Sequence, residues 1–515
     1  MKDYDQSQVI DFLSRADSYG DGDAPVTKIE THISVVFLVG LRAFKLKRAV
    51  KYPYLDFSTL QLRRRMCDAE VAVNRRTAPD LYKGVVAVTV SESGALSITG
   101  DGEPVEWLVE MVRFDEDTLF NRLKLTPRLM GELAEAIADF HMAAAPRPKV
   151  DSYQGLEETI TGNAASFALF GGAIVDGAAV EALSQAQLAA LRGPYGDKLK
   201  ARGKAGLVRH CHGDLHLRNI CLIDDRPTLF DAIEFNDTFA YIDVFYDLAF
   251  LLMDLDHRGL RRLANIVLNR YLDITGDADG LQCLPLLLSV RAAIRAHVSA
   301  TAAGQQSNAL DGERFAGEAR SYLDLARDYL VTDKPRLIAV GGLSGSGKSR
   351  LGRELASYIG LAPGARIVRS DVIRKGLAGV TPLTRLDGSG YAPEMTRRTY
   401  QELYDQAQSA LQNGHSVIAD AVFAKPEERK AIAAVADAMG LSFHGLWLEA
   451  PAQVMEARVT ARKFNASDAD AAIVRQQLSY DLGAMEWTRI DSAGTKSSTL
   501  EKALKVLGLY VVIVE

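Results

Sequence analysis

Residues 33–39 (Ile33-Ser34-Val35-Val36-Phe37-Leu38-Val39) run up to a turn at Gly40-Leu41-Arg42, and Ala43-Phe44-Lys45-Leu46-Lys47 runs away from it. β-Branched and aromatic residues on both sides of a glycine turn predict a hairpin over about residues 31–50. Residues 59–76, rich in Leu, Arg, Met, Ala and Glu, predict a helix. Strand-like runs follow at 84–90 and 106–112. From residue 126 the texture turns to alanine- and leucine-rich helices, interrupted by short strands at 207–211, 220–223 and 228–231 and resuming from 243 to about 331. The pattern predicts a small strand-rich lobe (about 25–115) and a larger helical lobe (about 116–330). Val331-Thr332-Asp333-Lys334-Pro335 reads as a linker, because its proline breaks the helical run. Beyond it, over 336–515, the order resets to strand, loop, helix, strand, which is the order of a parallel α/β domain. The expected fold class is α+β followed by α/β, without internal repeats.

A chain of 515 residues exceeds one ordinary core, which agrees with this division. Its net charge of −6 argues against general nucleic-acid coating, which needs a basic surplus. The polar start Met1-Lys2-Asp3-Tyr4-Asp5 is no signal peptide, and no apolar run approaches the ~20 residues that span a bilayer. Cys67, Cys211, Cys221 and Cys283 are scattered, as suits buried thiols in a reducing compartment rather than disulfides or zinc ligands. A cytoplasmic location without membrane attachment is expected.

The strongest chemical pattern is Gly342-Leu343-Ser344-Gly345-Ser346-Gly347-Lys348-Ser349, between the apolar run Arg336–Val340 and a helical pattern at Leu351, Leu355 and Ile359. G-x-x-x-x-G-K-S in a strand–loop–helix setting turns successive backbone N–H groups, and a helix N-terminus, toward phosphate. Lys348 is expected on the outer phosphates of a nucleoside triphosphate, ATP or GTP, and the Ser349 hydroxyl on Mg²⁺. Asp371 ends a strand-like run and is a candidate to accept the proton of an attacking hydroxyl, with Arg374 steering an anion; helix capping is its alternative. Asp420, at the end of run 416–419, stands between orienting Mg²⁺ and capping. Arg458 and Arg462 share a helix face and are candidates to close over the triphosphate, unless that face is merely solvated. This segment resembles the small P-loop kinases, a group that includes gluconate kinase-like, polynucleotide 5′-kinase-like and zeta-toxin-like enzymes. The resemblance implies an acceptor-binding step at Asp371-x-x-Arg374 and lid arginines at 458 and 462.

A second constellation is His210-Cys211-His212-Gly213-Asp214-Leu215-His216-Leu217-Arg218-Asn219, followed by a hairpin that delivers Asp231. Asp214 is a candidate proton acceptor, and Asn219 and Asp231 supply oxygens for a phosphate-bound Mg²⁺. His212 and His216 in a loop, without a third ligand, do not make a zinc site. This run resembles aminoglycoside phosphotransferase-like kinases, small-molecule relatives of protein kinases. The resemblance implies that Lys45 or Lys47 meets the phosphates, that Glu70 pairs with it, and that Glu110-Met111-Val112 holds the base. It also implies that Asp243 and Asp247 brace the loop. No G-x-G-x-x-G lies in the first hairpin and no Phe-Gly follows Asp231, which favours a small-molecule kinase. Basic residues at 63–65, 75–76 and 45–51 read as ion pairs and solvated faces, or else as a patch for an anionic substrate or RNA.

The combined expectation is a bifunctional phosphotransferase acting on hydroxyl groups of small molecules through two nucleotide sites. Its rivals are a P-loop regulatory ATPase with a kinase-like sensor domain and a 5′-hydroxyl nucleic-acid kinase, nucleic acid being the less favoured partner.

Overall fold

Gly40 and Leu41 form a two-residue turn, with Gly40 at φ +53°, so Val39 faces Arg42 across the predicted hairpin. The computed structural model that establishes this describes residues 5–20, 24–52, 54–170, 174–306, 308–461 and 466–509. By internal contacts the chain forms two compact units, Met1–Glu158 with Leu199–Asp254, and Thr159–Lys198 with Leu255–Glu515.

The first unit is built on β1 (Thr27–Glu30), β2 (Ser34–Val39), β3 (Arg42–Lys47), the short pair β4 (Lys51–Tyr52) and β5 (Leu55–Asp56), β6 (Tyr82–Val90), β7 (Leu96–Ile98) and β8 (Glu103–Val112). Six of these form an antiparallel sheet in the order β1-β2-β3-β8-β6-β7. Strand alternation gives the sheet two different faces. Val35, Phe37, Val39, Phe44 and Leu46 join one core with Val88, Leu108 and the N-terminal Phe12 and Leu13. Lys45 and Lys47 alternate with Phe44 and Leu46 along β3, and both bond Glu70 on the helix Leu60–Asn74. Thr59 caps that helix by accepting from Leu62 N at 3.2 Å.

Most of the basic run is consumed internally. Arg63 is wholly buried and bonds both oxygens of Glu106 at 2.9 and 3.0 Å. Arg64 pairs with Asp68 and lies 3.8 Å over the Trp107 ring. Arg75 donates to Tyr82 O and Arg76 to His210 O. Arg48 and Lys51 pair with Glu30 and Asp56. These contacts are the ion pairs that the first of the two readings expected, while Arg65 is exposed.

The catalytic-style loop lies between β9 (Val208–His210) and a hairpin of β10 (Ile220–Ile223) and β11 (Arg226–Leu229), with β12 (Tyr241–Asp243) antiparallel to β9. Asp224 and Asp225, at φ +49° and +58°, make the hairpin's two-residue turn. β11 ends at Leu229, short of the predicted 231, because Asp231 turns into the left-handed region at φ +61°.

The second unit contains the helices Arg261–Thr275, Leu284–Gln305 and Ala309–Asp328 and a five-stranded sheet. Its strands are β13 (Arg336–Gly342), β14 (Arg366–Arg369), β15 (Val417–Asp420), β16 (Ser442–Glu449) and β17 (Thr488–Asp491), ordered β14-β15-β13-β16-β17 and all parallel. β14 is an edge strand, with a row of backbone groups that β15 does not use. The helix Arg261–Thr275 closes this edge. Asn269 Oδ1 accepts from Ile367 N at 2.7 Å, and Asn265 and Asn269 donate to Ala365 O at 3.0 and 3.2 Å. Arg366 reaches back to Asp273 at 2.6 Å. The primary amide of a buried asparagine thus stands where another strand's peptide would. All four cysteines are buried thiols, and no described helix is long and apolar enough to cross a membrane.

Asn269→Leu keeps the volume but strands the Ile367 N–H in a dry setting. The expected cost is about 1–3 kcal/mol, read as a lower denaturant midpoint for the full chain, whereas an exposed Arg397→Ala change is expected to leave the midpoint in place.

Candidate functional site

In the first unit the residues singled out from sequence converge on a buried charge lattice. Lys45 Nζ lies 2.8 Å from Glu70 Oε1 and 2.6 Å from Asp231 Oδ1. Lys47 bonds the other Glu70 oxygen and Glu234. Burial alone would raise the Glu70 carboxyl, but Lys45 and Lys47 override it and hold it at about 2. Burial opposes the charge on Lys45, while Asp231 and Glu70 keep its pKa well above the ordinary lysine value. Burial pushes Glu234 up, against the pull of Lys47. The Lys45 side chain is 13 % exposed and Lys47 only 2 %, so Lys45 is the lysine with access to a ligand.

Asn219 Nδ2 donates to Asp214 O and Oδ2 at 3.0 and 2.9 Å, and the Asp214 side chain keeps 38 % exposure. Asp247 fixes the loop by accepting from His212 N and Gly213 N, both at 2.9 Å. Arg202 grips Asp243 with two bonds of 2.8 and 2.9 Å. His212 Nε2 faces Phe230 O at 2.9 Å and Nδ1 accepts from Asp214 N at 3.3 Å, so the Nε2–H tautomer is imposed. Burial lowers the His212 pKa, which keeps the ring neutral in this structural role. Gly213, at φ +82°, has no room for a side chain: a Cβ would lie 2.7 Å from Phe239 O. Asp231 N donates to the Tyr82 hydroxyl and Ala232 N to Asn74 Oδ1, which hold the residues after β11 against the helix Leu60–Asn74.

Glu110 and Val112 are the residues expected to hold the base. β8 is an interior strand, Val112 N–H is committed to Leu81 O at 2.9 Å, and the Glu110 carboxylate lies 3.7 Å from Arg42. Neither the Val112 nor the Arg113 N–H, the latter bonded to Leu41 O, is free to meet a base.

In the second unit β13 delivers the loop Gly342–Ser349, and Lys348 opens the helix Lys348–Leu355. Gly345, at φ +86°, passes so close to the next layer that a Cβ would lie 2.5 Å from Met455 O. Lys348 is buried and Ser349 half-buried, while Leu343, Ser344 and Ser346 are enclosed. The loop is buttressed from outside: Ser492 Oγ donates to Ser346 O at 2.7 Å, and Ser344 N donates to Gln477 Oε1 at 2.7 Å. Asp420 Oδ2 accepts from Arg369 Nε at 3.2 Å, and its buried Oδ1 has no hydrogen-bond partner among the described residues. Asp371 sits in the first turn of the helix Ser370–Leu377, whose N-cap is Arg369, so it does not serve as the cap.

Two arginines differ from expectation. Arg374 is buried, donates to Gly390 O at 2.9 Å and Thr396 Oγ1 at 3.3 Å, and lies 5.0 Å over the Tyr391 ring. It shapes the turn Gly388–Tyr391 through Nη1, while its buried Nε has no hydrogen-bond partner among the described residues. Arg458 donates to Ser492 O at 2.7 Å and Gly345 O at 3.5 Å, and so holds the rear of the P-loop. Arg462 lies outside the described residues. Sequence reasoning missed Glu234, which the spacing Asp231-x-x-Glu234 opposite Lys45-x-Lys47 would have flagged. It also missed Gln477 and Asp468, whose partners are distant in the chain. Asp468 binds Lys375, the Tyr391 hydroxyl and Leu386 N at 2.7, 2.8 and 3.0 Å.

These geometries describe an antiparallel-sheet unit with a buried Lys45–Glu70–Asp231 lattice and a parallel-sheet domain with a P-loop on one chain. The family profile described as "AAA domain" matches residues 337–481. Among solved structures, a gluconokinase from Sinorhizobium meliloti 1021 aligns over 34 % of this chain and 93 % of its own, at 21 % identity and a TM-score of 0.25. A choline kinase from Cryptosporidium parvum Iowa II aligns over 63 % of this chain and 95 % of its own, at 12 % identity and a TM-score of 0.40. The uncharacterized protein Rv2004c of Mycobacterium tuberculosis is 30 % identical over 511 residues, which cover 95 % of this chain and 97 % of that one. Similarity of that extent runs through both halves of the molecule, and the chain belongs to the family of this mycobacterial protein.

Proposed function

We propose that the chain is a bifunctional ATP-dependent phosphotransferase with two nucleotide sites, each transferring the terminal phosphoryl group to a hydroxyl of a small molecule. The observation that carries the reading is the joint presence of the Lys45–Glu70–Asp231 lattice and the Asp214–Asn219 pair in one unit. In the first site Lys45 neutralises the phosphates and Glu70 holds Lys45 in place. Asp214, exposed enough to meet an acceptor, takes the hydroxyl proton as the acceptor oxygen bonds to phosphorus and the bond to the diphosphate breaks. In the second site the P-loop amides and Lys348 cradle the phosphates, and Asp371 takes the acceptor's proton.

The donor sets fit Mg²⁺. Asn219 donates through Nδ2 and keeps Oδ1 as an acceptor, Asp231 commits one oxygen to Lys45, and Asp420 has a buried unpartnered oxygen. Asn219 and Asp231 would hold the ion in the first site, and Ser349 and Asp420 in the second. When bound, it offsets phosphate charge.

The reading is tested by phosphoryl transfer from ATP into a metabolite extract, followed by mass spectrometry. Asp214→Asn is expected to abolish one phosphorylated species, by roughly 10²-fold or more, and Lys348→Ala to abolish another. Phosphate release that depends on Lys348 with no phosphorylated acceptor would support the regulatory ATPase instead.

The two lysines are expected to separate in kind. Lys45→Met lowers kcat/KM for ATP at the Asp214-dependent site and also lowers Tm, because buried Glu70 then keeps only Lys47. Lys47→Met leaves Glu70 and Glu234 with less buried compensation and costs about 3–5 kcal/mol of stability, seen in thermal unfolding.

A further inference from the structure

We propose that Gln477 contacts the substrate nucleotide in the P-loop site, its side-chain N–H groups donating to the terminal phosphoryl group; this rests on the nucleotide reading of that site. The orientation of its amide is fixed by chemistry. Ser344 N–H can only donate, so the atom 2.7 Å away must be the amide oxygen, and Nε2 with its two hydrogens points elsewhere. No described residue accepts from Nε2, although the residue is only 8 % exposed. Nε2 is also absent from the fully enclosed unpaired polar atoms, so its donors open onto accessible space beside the loop. Two unspent donors anchored to a phosphate-binding loop match anionic oxygen.

The helix that carries Gln477, Ala471–Leu478, is held from three directions. Asp468 ties the preceding segment to Lys375 and Tyr391. Arg475 grips Glu456 with bonds of 3.0 and 3.1 Å. Beyond the helix, buried Arg429 donates to Leu482 O and Ala484 O at 2.6 and 2.9 Å. Arg458 and Ser492, which also touch the P-loop, donate to its carbonyls. Gln477 instead meets the loop through an N–H and keeps its own N–H groups for a ligand. The contact differs between the two nucleotides of the reaction: ATP has the terminal group and ADP does not.

The test measures ATP and ADP binding to the full-length chain, with binding lost in Lys348→Ala assigned to this site. Gln477→Ala is expected to weaken ATP about tenfold, the scale of a hydrogen bond to a charged group, and to leave ADP within about twofold. Gln477→Glu still accepts from Ser344 N–H, so the loop keeps its support, but a carboxylate replaces the donors. It is expected to retain the Tm of the unaltered chain and to lose ATP affinity more severely than ADP affinity. Equal losses for ATP and ADP in both variants would show that Gln477 only shapes the loop, and no loss in either would remove it from the site; both overturn the proposal. Absence of Lys348-dependent nucleotide binding in the unaltered chain would overturn the nucleotide reading as well.

Discussion

Glu70 is a fully buried carboxylate, and everything around the first site is arranged to keep it charged. Taking such a group out of water costs several kcal/mol unless paired cations and hydrogen bonds offset it. Lys45 and Lys47 supply that offset because two residues along a strand return to the same face. Once Glu70 is anchored, the helix Leu60–Asn74 is set against β3, and Lys45 is aimed at Asp231. Tyr82 and Asn74 then hold the strained backbone at 231–232, and the left-handed turn of Asp231 becomes affordable. Lys47 and Glu234 act mainly on this arrangement, since their pair is too enclosed to meet a ligand directly.

The second unit has a different governing constraint, a loop that must remain open-backed. The surrounding structure supports several of its carbonyls, while Gly342 N–H and Ser346 N–H donate to Val422 O and Leu343 O at 3.2 and 3.1 Å. Ser492 and Arg458 take Ser346 O and Gly345 O, and Met455 packs where only glycine allows it. Ser344 differs from Gly342 and Ser346 in that the structure brings a side-chain acceptor to its N–H.

What could be read from the sequence follows the range of the physics. The P-loop and the Asp214–Asn219 loop are contiguous, and their backbone geometry is written in neighbouring glycines, so both were legible. The hairpin at Gly40 and the shared face of Lys45 and Lys47 followed from local alternation, but the choice between the two lysines required their burial. The carbonyls that Arg374 and Arg458 hold were not legible, because spacing says nothing about backbone that folds back onto a side chain. The Arg63–Glu106 pair joins residues 43 apart and Gln477 meets a residue 133 positions away, and neither end carries a local mark. The bond from Val112 N–H to Leu81 O was hidden for a similar reason.

Asn269 places a side chain where sheet continuation would otherwise occur. A parallel sheet ending in an uncovered strand invites another strand to add to it, from the same protein or a foreign one. Here the cover comes from a helix that precedes the linker, so the sheet and its guard lie on opposite sides of Pro335 in the chain. Recombination that moved residues 336–515 alone would transfer the loop Gly342–Ser349 intact but leave behind what keeps the sheet's edge from pairing. The helix Arg261–Thr275 and the sheet are therefore bound to travel together through evolution by the solubility of the sheet.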